Sequence, residues 1–189
     1  YVVIIGGGDL MTLREVMKYY SIKKVFMLEL DPTIVNLCEK YFNQSKYEDD
    51  LRVKIIYGDA NDTIEDLFRQ SDCLTVHVSA QDIKGLTNEG LIDGNLFEKF
   101  AEGRENSPRI FINFSRGFLH RPEDIVAAIE KGHIRYAAVD VYPHEPRRGD
   151  AWKNPYEGCE NVIAFPHIGA STQEAQPRIA KRVSETLRP

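Results

Sequence analysis

Short apolar runs rich in β-branched residues alternate with stretches of helical period along almost the whole chain. The runs predict strands at Val2-Ile5, Lys24-Leu30, Arg52-Tyr57, Cys73-Val78, Arg109-Phe114, Tyr136-Val141 and Asn161-Phe165. Their hydrophobicity is continuous rather than alternating, which suits strands covered on both faces. Between them, Leu10 to about Tyr20 places Leu13, Val16, Met17 and Tyr20 on one helical face. Asp31-Pro32 opens a second helix as N-cap and first helical residue, with Ile34, Leu37, Cys38 and Tyr41 as its inward stripe. Further helices are predicted at Asp62-Arg69, Asn88-Ala101, Pro122-Lys131 (stopped by Gly132) and Thr172 to about Leu187, where Pro177 demands a kink or a late start. Strands and helices in this alternation predict a doubly wound α/β domain with a mostly parallel sheet of about seven strands, helices on both faces, spanning residues 1–189.

Two segments break the pattern. Glu102-Pro108 is a polar loop, and Tyr142-Gly158 is long and rich in Pro, Arg and Gly, a length that in compact domains usually serves function. At the first strand's end, Gly6-Gly7-Gly8-Asp9 leads into a helix, which lets backbone approach a ligand. Gly6 and Gly8 fit the dinucleotide pattern GxGxxG of Rossmann-like sheets, but Met11 stands where the third glycine packs helix against strand. The second strand ends on Glu29 and Asp31, about 20 residues beyond the glycines, where an acid accepts ribose hydroxyls. An acid there favours NAD over NADP; the alternative for Asp31 is a helix cap alone.

Composition narrows the function classes. A net charge of −5 without a basic stripe excludes an ordinary nucleic-acid binder. The three cysteines, Cys38, Cys73 and Cys159, lack CxxC spacing, so neither a disulfide scaffold nor a metal site is expected and a cytoplasmic setting is the natural one. No membrane-spanning run is visible. A chain that opens directly on a core strand is expected to be an excised or engineered domain.

Two resemblances divide the chain. Ile-Ile-Gly-Gly-Gly-Asp, Leu-Glu-Leu-Asp and Arg-Val-Lys-Ile-Ile-Tyr-Gly-Asp-Ala, within residues 1 to about 60, resemble the spermidine synthase group of aminopropyltransferases. That resemblance implies an adenosyl nucleoside of the S-adenosylmethionine type, lined by Gly6 and Gly8, with Glu29 on ribose and Asp59 on adenine. Leu10-Met11 stand where that family has two more glycines, and its acidic catalytic loop is replaced by His77-Val78-Ser79-Ala80-Gln81. From about residue 63, the Ser71-Val78 run, Ile112-Gly117, Ala137-Val141 and Pro166-Thr172 resemble the D-2-hydroxyacid dehydrogenases, the 3-phosphoglycerate dehydrogenase branch most nearly.

The second resemblance implies NAD and hydride transfer to or from a small 2-hydroxy acid. His167 would be the base for the hydroxyl proton, Glu145 its orienting partner and Arg116 the fork that binds the substrate carboxylate. Asp140 would meet the nicotinamide carboxamide, and backbone at Val78 would line the cofactor cleft. It also implies a homodimer, and a separate substrate domain that this sequence does not contain, so weak turnover is expected. Together the two resemblances describe a chimera with its junction between about Gly58 and Ser71. Three outcomes compete: an NAD-binding oxidoreductase domain, an S-adenosyl nucleoside binder, and a scaffold without activity.

Overall fold

Parallel pairing accounts for every strand contact in the sheet. The computed structural model describes residues 1–41, 47, 49–82, 85–146, 149–169 and 172–186. Its strands are β1 (Val2–Gly6), β2 (Val25–Glu29), β3 (Val53–Tyr57), β4 (Cys73–His77), β5 (Ile110–Asn113), β6 (Tyr136–Val139) and β7 (Val162–Ala164). They form one sheet in the order β3-β2-β1-β4-β5-β6-β7, all parallel. The order reverses between β1 and β4, the place where open α/β sheets leave a crevice beyond the strands' carboxyl ends. Register aligns those ends: Gly6 lies opposite His77, Val76 opposite Asn113, Asn113 opposite Val139 and Val139 opposite Ala164. Every loop leaving a strand therefore opens at one edge, over a span of roughly 24 Å from β2 to β7 at ordinary strand spacing.

The helices are α1 (Met11–Met17), α2 (Pro32–Tyr41), α3 (Ala60–Gln70), α4 (Gly94–Glu98), α5 (Pro122–Glu130) and α6 (Ala175–Thr186). Two apolar clusters cover the sheet. One joins Leu10, Leu13, Met17 and Val35 to β1 and β2, and the larger one joins Phe68, Phe97, Phe100 and Phe111 to β4 through β6.

Three expectations change. Tyr20 is 96% exposed because α1 ends at Met17, one turn short of it. In α2 the inward residues are Val35 and Cys38, whereas Ile34, Leu37 and Tyr41 are exposed. The helix predicted at Asn88-Ala101 shrinks to α4, since Gly90 takes a left-handed φ of 69° and the Asp93 carboxylate caps a fresh start at the Leu96 N–H. Pro177 sits in the first turn of α6, the late start it required. Leu187 at the expected end of that helix, the Ala170-Ser171 part of the histidine motif, and Arg147 and Arg148 of the Tyr142-Gly158 loop lie outside the described residues.

Candidate functional site

Two clusters sit at the carboxyl edge. The first is a cavity of about 550 Å³ under the glycine turn, lined by Gly6, Gly8, Asp9, Glu29, Asp31, Asp59 and Val78 among others. Every residue expected to contact an adenosine is therefore on one wall or another of a single space. Gly6 has φ +78°, and a Cβ there would fall 2.4 Å from the His77 carbonyl oxygen, so only glycine lets the turn close onto β4. Gly8 is constrained from the other side: its N–H donates to Glu29 Oε2 at 2.8 Å, and a Cβ would meet that carboxylate at 2.7 Å.

Glu29 thus ties β2 to the glycine turn, and its Oε1 also accepts the Asp31 N–H at 3.1 Å. Asp31 caps α2 by accepting the Thr33 N–H at 2.8 Å, the helix-cap alternative read from its sequence position, while also lining the cavity. Asp9 accepts the Met11 N–H at 3.0 Å at the start of α1. His77, next to Val78, also lines the cavity, with its Nε2 2.9 Å from Thr75 Oγ1. Burial lowers its pKa, against a smaller opposing pull from the Asp9 charge.

The second cluster lies at the ends of β5, β6 and β7. His167 Nδ1 is 2.6 Å from Glu145 Oε2, and the imidazole remains half exposed. The loop holding it is fastened by Asp140, which is buried and accepts the N–H groups of Ile168 at 2.9 Å and Gly169 at 2.8 Å. As placed, the Asp140 carboxylate anchors the histidine loop. Glu145 is itself held by the Tyr142 N–H at 3.3 Å, and the Tyr142 hydroxyl donates to the Phe165 carbonyl at 2.6 Å.

Arg116 follows β5 on an exposed turn, with Nη1 on the Ser115 carbonyl at 2.8 Å. That turn is built by Asn113, fully buried, which accepts from the Ser115 N–H and donates to the Arg116 carbonyl. Next to it, Gly117 lies so close to the Tyr142 backbone that a Cβ would come within 2.0 Å. This contact brings the arginine turn against the segment carrying Glu145. Asn113 and Gly117 lie within the Ile112-Gly117 motif and Tyr142 opens the long loop, but the sequence reading gives none of the three a role of its own; a polar Asn closing the apolar run Ile110-Phe111-Ile112-Asn113 is the local signal for the first.

The sequence model for "D-isomer specific 2-hydroxyacid dehydrogenase, NAD binding domain" matches residues 40–169. The chain belongs to this family. A putative D-3-phosphoglycerate dehydrogenase of Schizosaccharomyces pombe is 33% identical over 134 residues, which are 66% of this chain and 27% of that protein. The D-3-phosphoglycerate dehydrogenase of Archaeoglobus fulgidus is 37% identical over 123 residues, 64% of this chain and 21% of that one. The chain thus matches only about a quarter of these relatives' length.

In fold, the apo D-mandelate dehydrogenase of Rhodotorula graminis aligns over 95% of this chain and 44% of its own, with TM-score 0.67 at 20% identity. The family match begins at residue 40, ahead of the junction expected between Gly58 and Ser71, and the structural likeness extends into the first strands. The spermidine synthase resemblance of residues 1–60, and the chimera built on it, therefore gain no support. A doubly wound half binds an adenosine in many families with the same glycine turn and acid, so local motif likeness there follows from shared geometry. Among the described residues no helix is long and apolar enough to cross a membrane, and no group of three or more His, Cys, Asp or Glu is arranged to hold a metal.

Proposed function

We propose that the chain is the cofactor-binding part of a D-2-hydroxyacid dehydrogenase, serving hydride transfer between NAD and a small 2-hydroxy acid. The observation that carries this reading is the His167–Glu145 pair at 2.6 Å, projecting from the carboxyl edge of a seven-stranded parallel sheet. Imidazole held by a carboxylate at one nitrogen presents the other to a substrate hydroxyl and takes its proton as the carbonyl forms. Arg116 supplies a planar guanidinium for the substrate carboxylate. The nicotinamide cofactor, when bound, accepts or returns the hydride. Its adenosine fits the 550 Å³ cavity, where Glu29 and Asp31 offer acceptors to ribose.

The test is an NADH fluorescence titration of the whole chain, combined with variants. His167→Ala is expected to leave NADH binding unchanged and to lower any turnover by about 10²- to 10⁴-fold. Glu29→Ala is expected to weaken binding. No fluorescence change at millimolar NADH, or equal loss of binding in both variants, would sink the proposal. A second reading, an S-adenosyl nucleoside in the same cavity, is favoured by its acidic lining of Asp9, Glu29, Asp31, Asp59 and Asp82. Calorimetry with S-adenosylmethionine distinguishes it. For partners, we carry over a homodimer from the family resemblance, checked by sedimentation, and a cytoplasmic setting.

A further inference from the structure

Both oxygens of the Asp140 carboxylate are engaged by the histidine loop, Oδ1 by the Ile168 N–H and Oδ2 by the Gly169 N–H. What else a ring finds at this edge depends on the flanking strands. The Asp140 N–H donates to the Asn113 carbonyl at 3.1 Å and the Phe165 N–H to the Val139 carbonyl at 2.8 Å. These two bonds extend the parallel pairing by one residue, so Phe114, Asp140 and Phe165 stand in line across the ends of β5, β6 and β7. Asn113 and Val139 are turned into the buried face, and the alternation of side chains sends Phe114 to the other one. The backbones of β5 and β7 lie about 10 Å apart with β6 between them. The two rings nevertheless meet edge-to-face, centroids 5.5 Å apart, and so arch over the end of β6.

Neither ring belongs to either apolar cluster, and Phe114 is 46% exposed. Packing within this chain therefore does not account for the pair. Its position does point to a ligand. Phe114 stands two residues before Arg116, and Phe165 two before His167, so the rings lie at the roots of both turns that carry the hydride-transfer groups. From the glycine turn on β1 to the end of β6 is three strand spacings, about 14 Å, which suits the two ends of one extended dinucleotide.

We propose that the Phe114–Phe165 pair is the platform for the nicotinamide ring and sets a preference for its oxidised form. The oxidised ring is a pyridinium cation, whereas the reduced ring is a neutral dihydropyridine. Aromatic faces carry negative charge density and attract a cation, the more so as water is excluded. Apolar contact is common to both forms, so the attraction to the cation is what separates them. The Asp140 and Glu145 charges favour the cation as well, and the Arg116 charge opposes it; the contribution of the rings is therefore the change seen when an aromatic ring is replaced. This inference rests on the reading of the chain as a nicotinamide-cofactor domain.

Calorimetry of the full chain with NAD+, NADH and ADP-ribose, which lacks the nicotinamide, tests it. Phe114→Leu keeps an apolar side chain at a position outside the core, so the fold is expected to persist. It should weaken NAD+ by about fivefold while changing NADH and ADP-ribose by less than about twofold. Phe114→Tyr, which restores an aromatic face, should keep the wild-type ratio of NAD+ to NADH affinity. An unchanged ratio in Phe114→Leu, or the same loss of ratio in Phe114→Tyr, overturns the proposal, and intact ADP-ribose binding then shows that the cofactor reading survives. If none of the three ligands binds at millimolar concentration, the cofactor reading falls and takes this inference with it.

Discussion

Gly117 and Gly94 show how differently one residue type can be constrained. An added Cβ at Gly117 would lie 2.0 Å from the Tyr142 backbone, and backbone cannot swing aside as a side-chain tip can. Tyr142 in turn positions Glu145 and grips Phe165. Gly117→Ala is therefore expected to destabilise the fold by about 1–3 kcal/mol through overpacking, measured as a lower urea midpoint. Gly94, the first residue of α4, has only an ordinary 3.5 Å contact with Asp124. Gly94→Ala should be neutral or stabilising by up to about 1 kcal/mol, since it removes backbone freedom from the unfolded chain. A loss of stability in the second variant equal to the first would contradict this account. In sequence the two glycines look alike; the clash at Gly117 is with a residue 25 positions later.

Among the elements, the strands were legible and the helix faces less so. Each predicted strand run overlaps an observed strand; β1 runs one residue further, to Gly6, and the other six are shorter at one or both ends, because long buried apolar runs leave few alternatives in an α/β chain. The face of α2 was misread because Ile34, Leu37 and Tyr41 are apolar but stand outside the Val35-Cys38 face that packs on the sheet; Ile34 instead lines the cavity. At the other end, α6 has no buried residue among those whose side chains are described, and Val183 is half exposed. Cutting the chain after Gln173 is thus expected to remove helical circular dichroism while lowering unfolding stability by less than about 1 kcal/mol. A larger loss would mean that α6 packs more than its exposure implies.

For the molecule as a whole, the pH dependence of folding should carry the mark of His120. This residue is 1% exposed, edge-to-face with Phe111 at 5.6 Å, inside the larger apolar cluster's surroundings. Burial pushes its pKa down to about 4, against weaker opposing pulls from the Arg121 backbone and Asp124. Between about pH 6.5 and 4 the unfolded chain binds a proton that the folded chain refuses, so stability falls as the solution is acidified through that window. The cost at pH 5 relative to pH 7 is about 2 kcal/mol. His120→Leu should flatten this part of the urea-midpoint profile. A slope unchanged in the variant would assign the acid sensitivity elsewhere. The sheet that buries His120 also brings residues separated by up to 161 positions, Gly6 and His167 at the extremes, to one edge, which is why its stability and its site share a foundation.

Local chemistry determined by itself the strands, most helix starts and the identity of the polar residues at strand ends. Apolar continuity, caps and prolines act within a few residues and can be seen in one dimension. His167, Glu145 and Arg116 came instead from the resemblance of their motifs to the D-2-hydroxyacid dehydrogenases, since spacing alone marks only polar groups at strand ends. Tertiary structure alone decided what those groups touch. Asp140 turned into an anchor for the histidine loop, Asn113 and Gly117 into the frame of the arginine turn, and Glu29 and Asp9 into acceptors for the Gly8 and Met11 N–H groups. The reason is that a hydrogen bond depends on direction and distance to tenths of an ångström, and those arise only when strands far apart in sequence are set side by side.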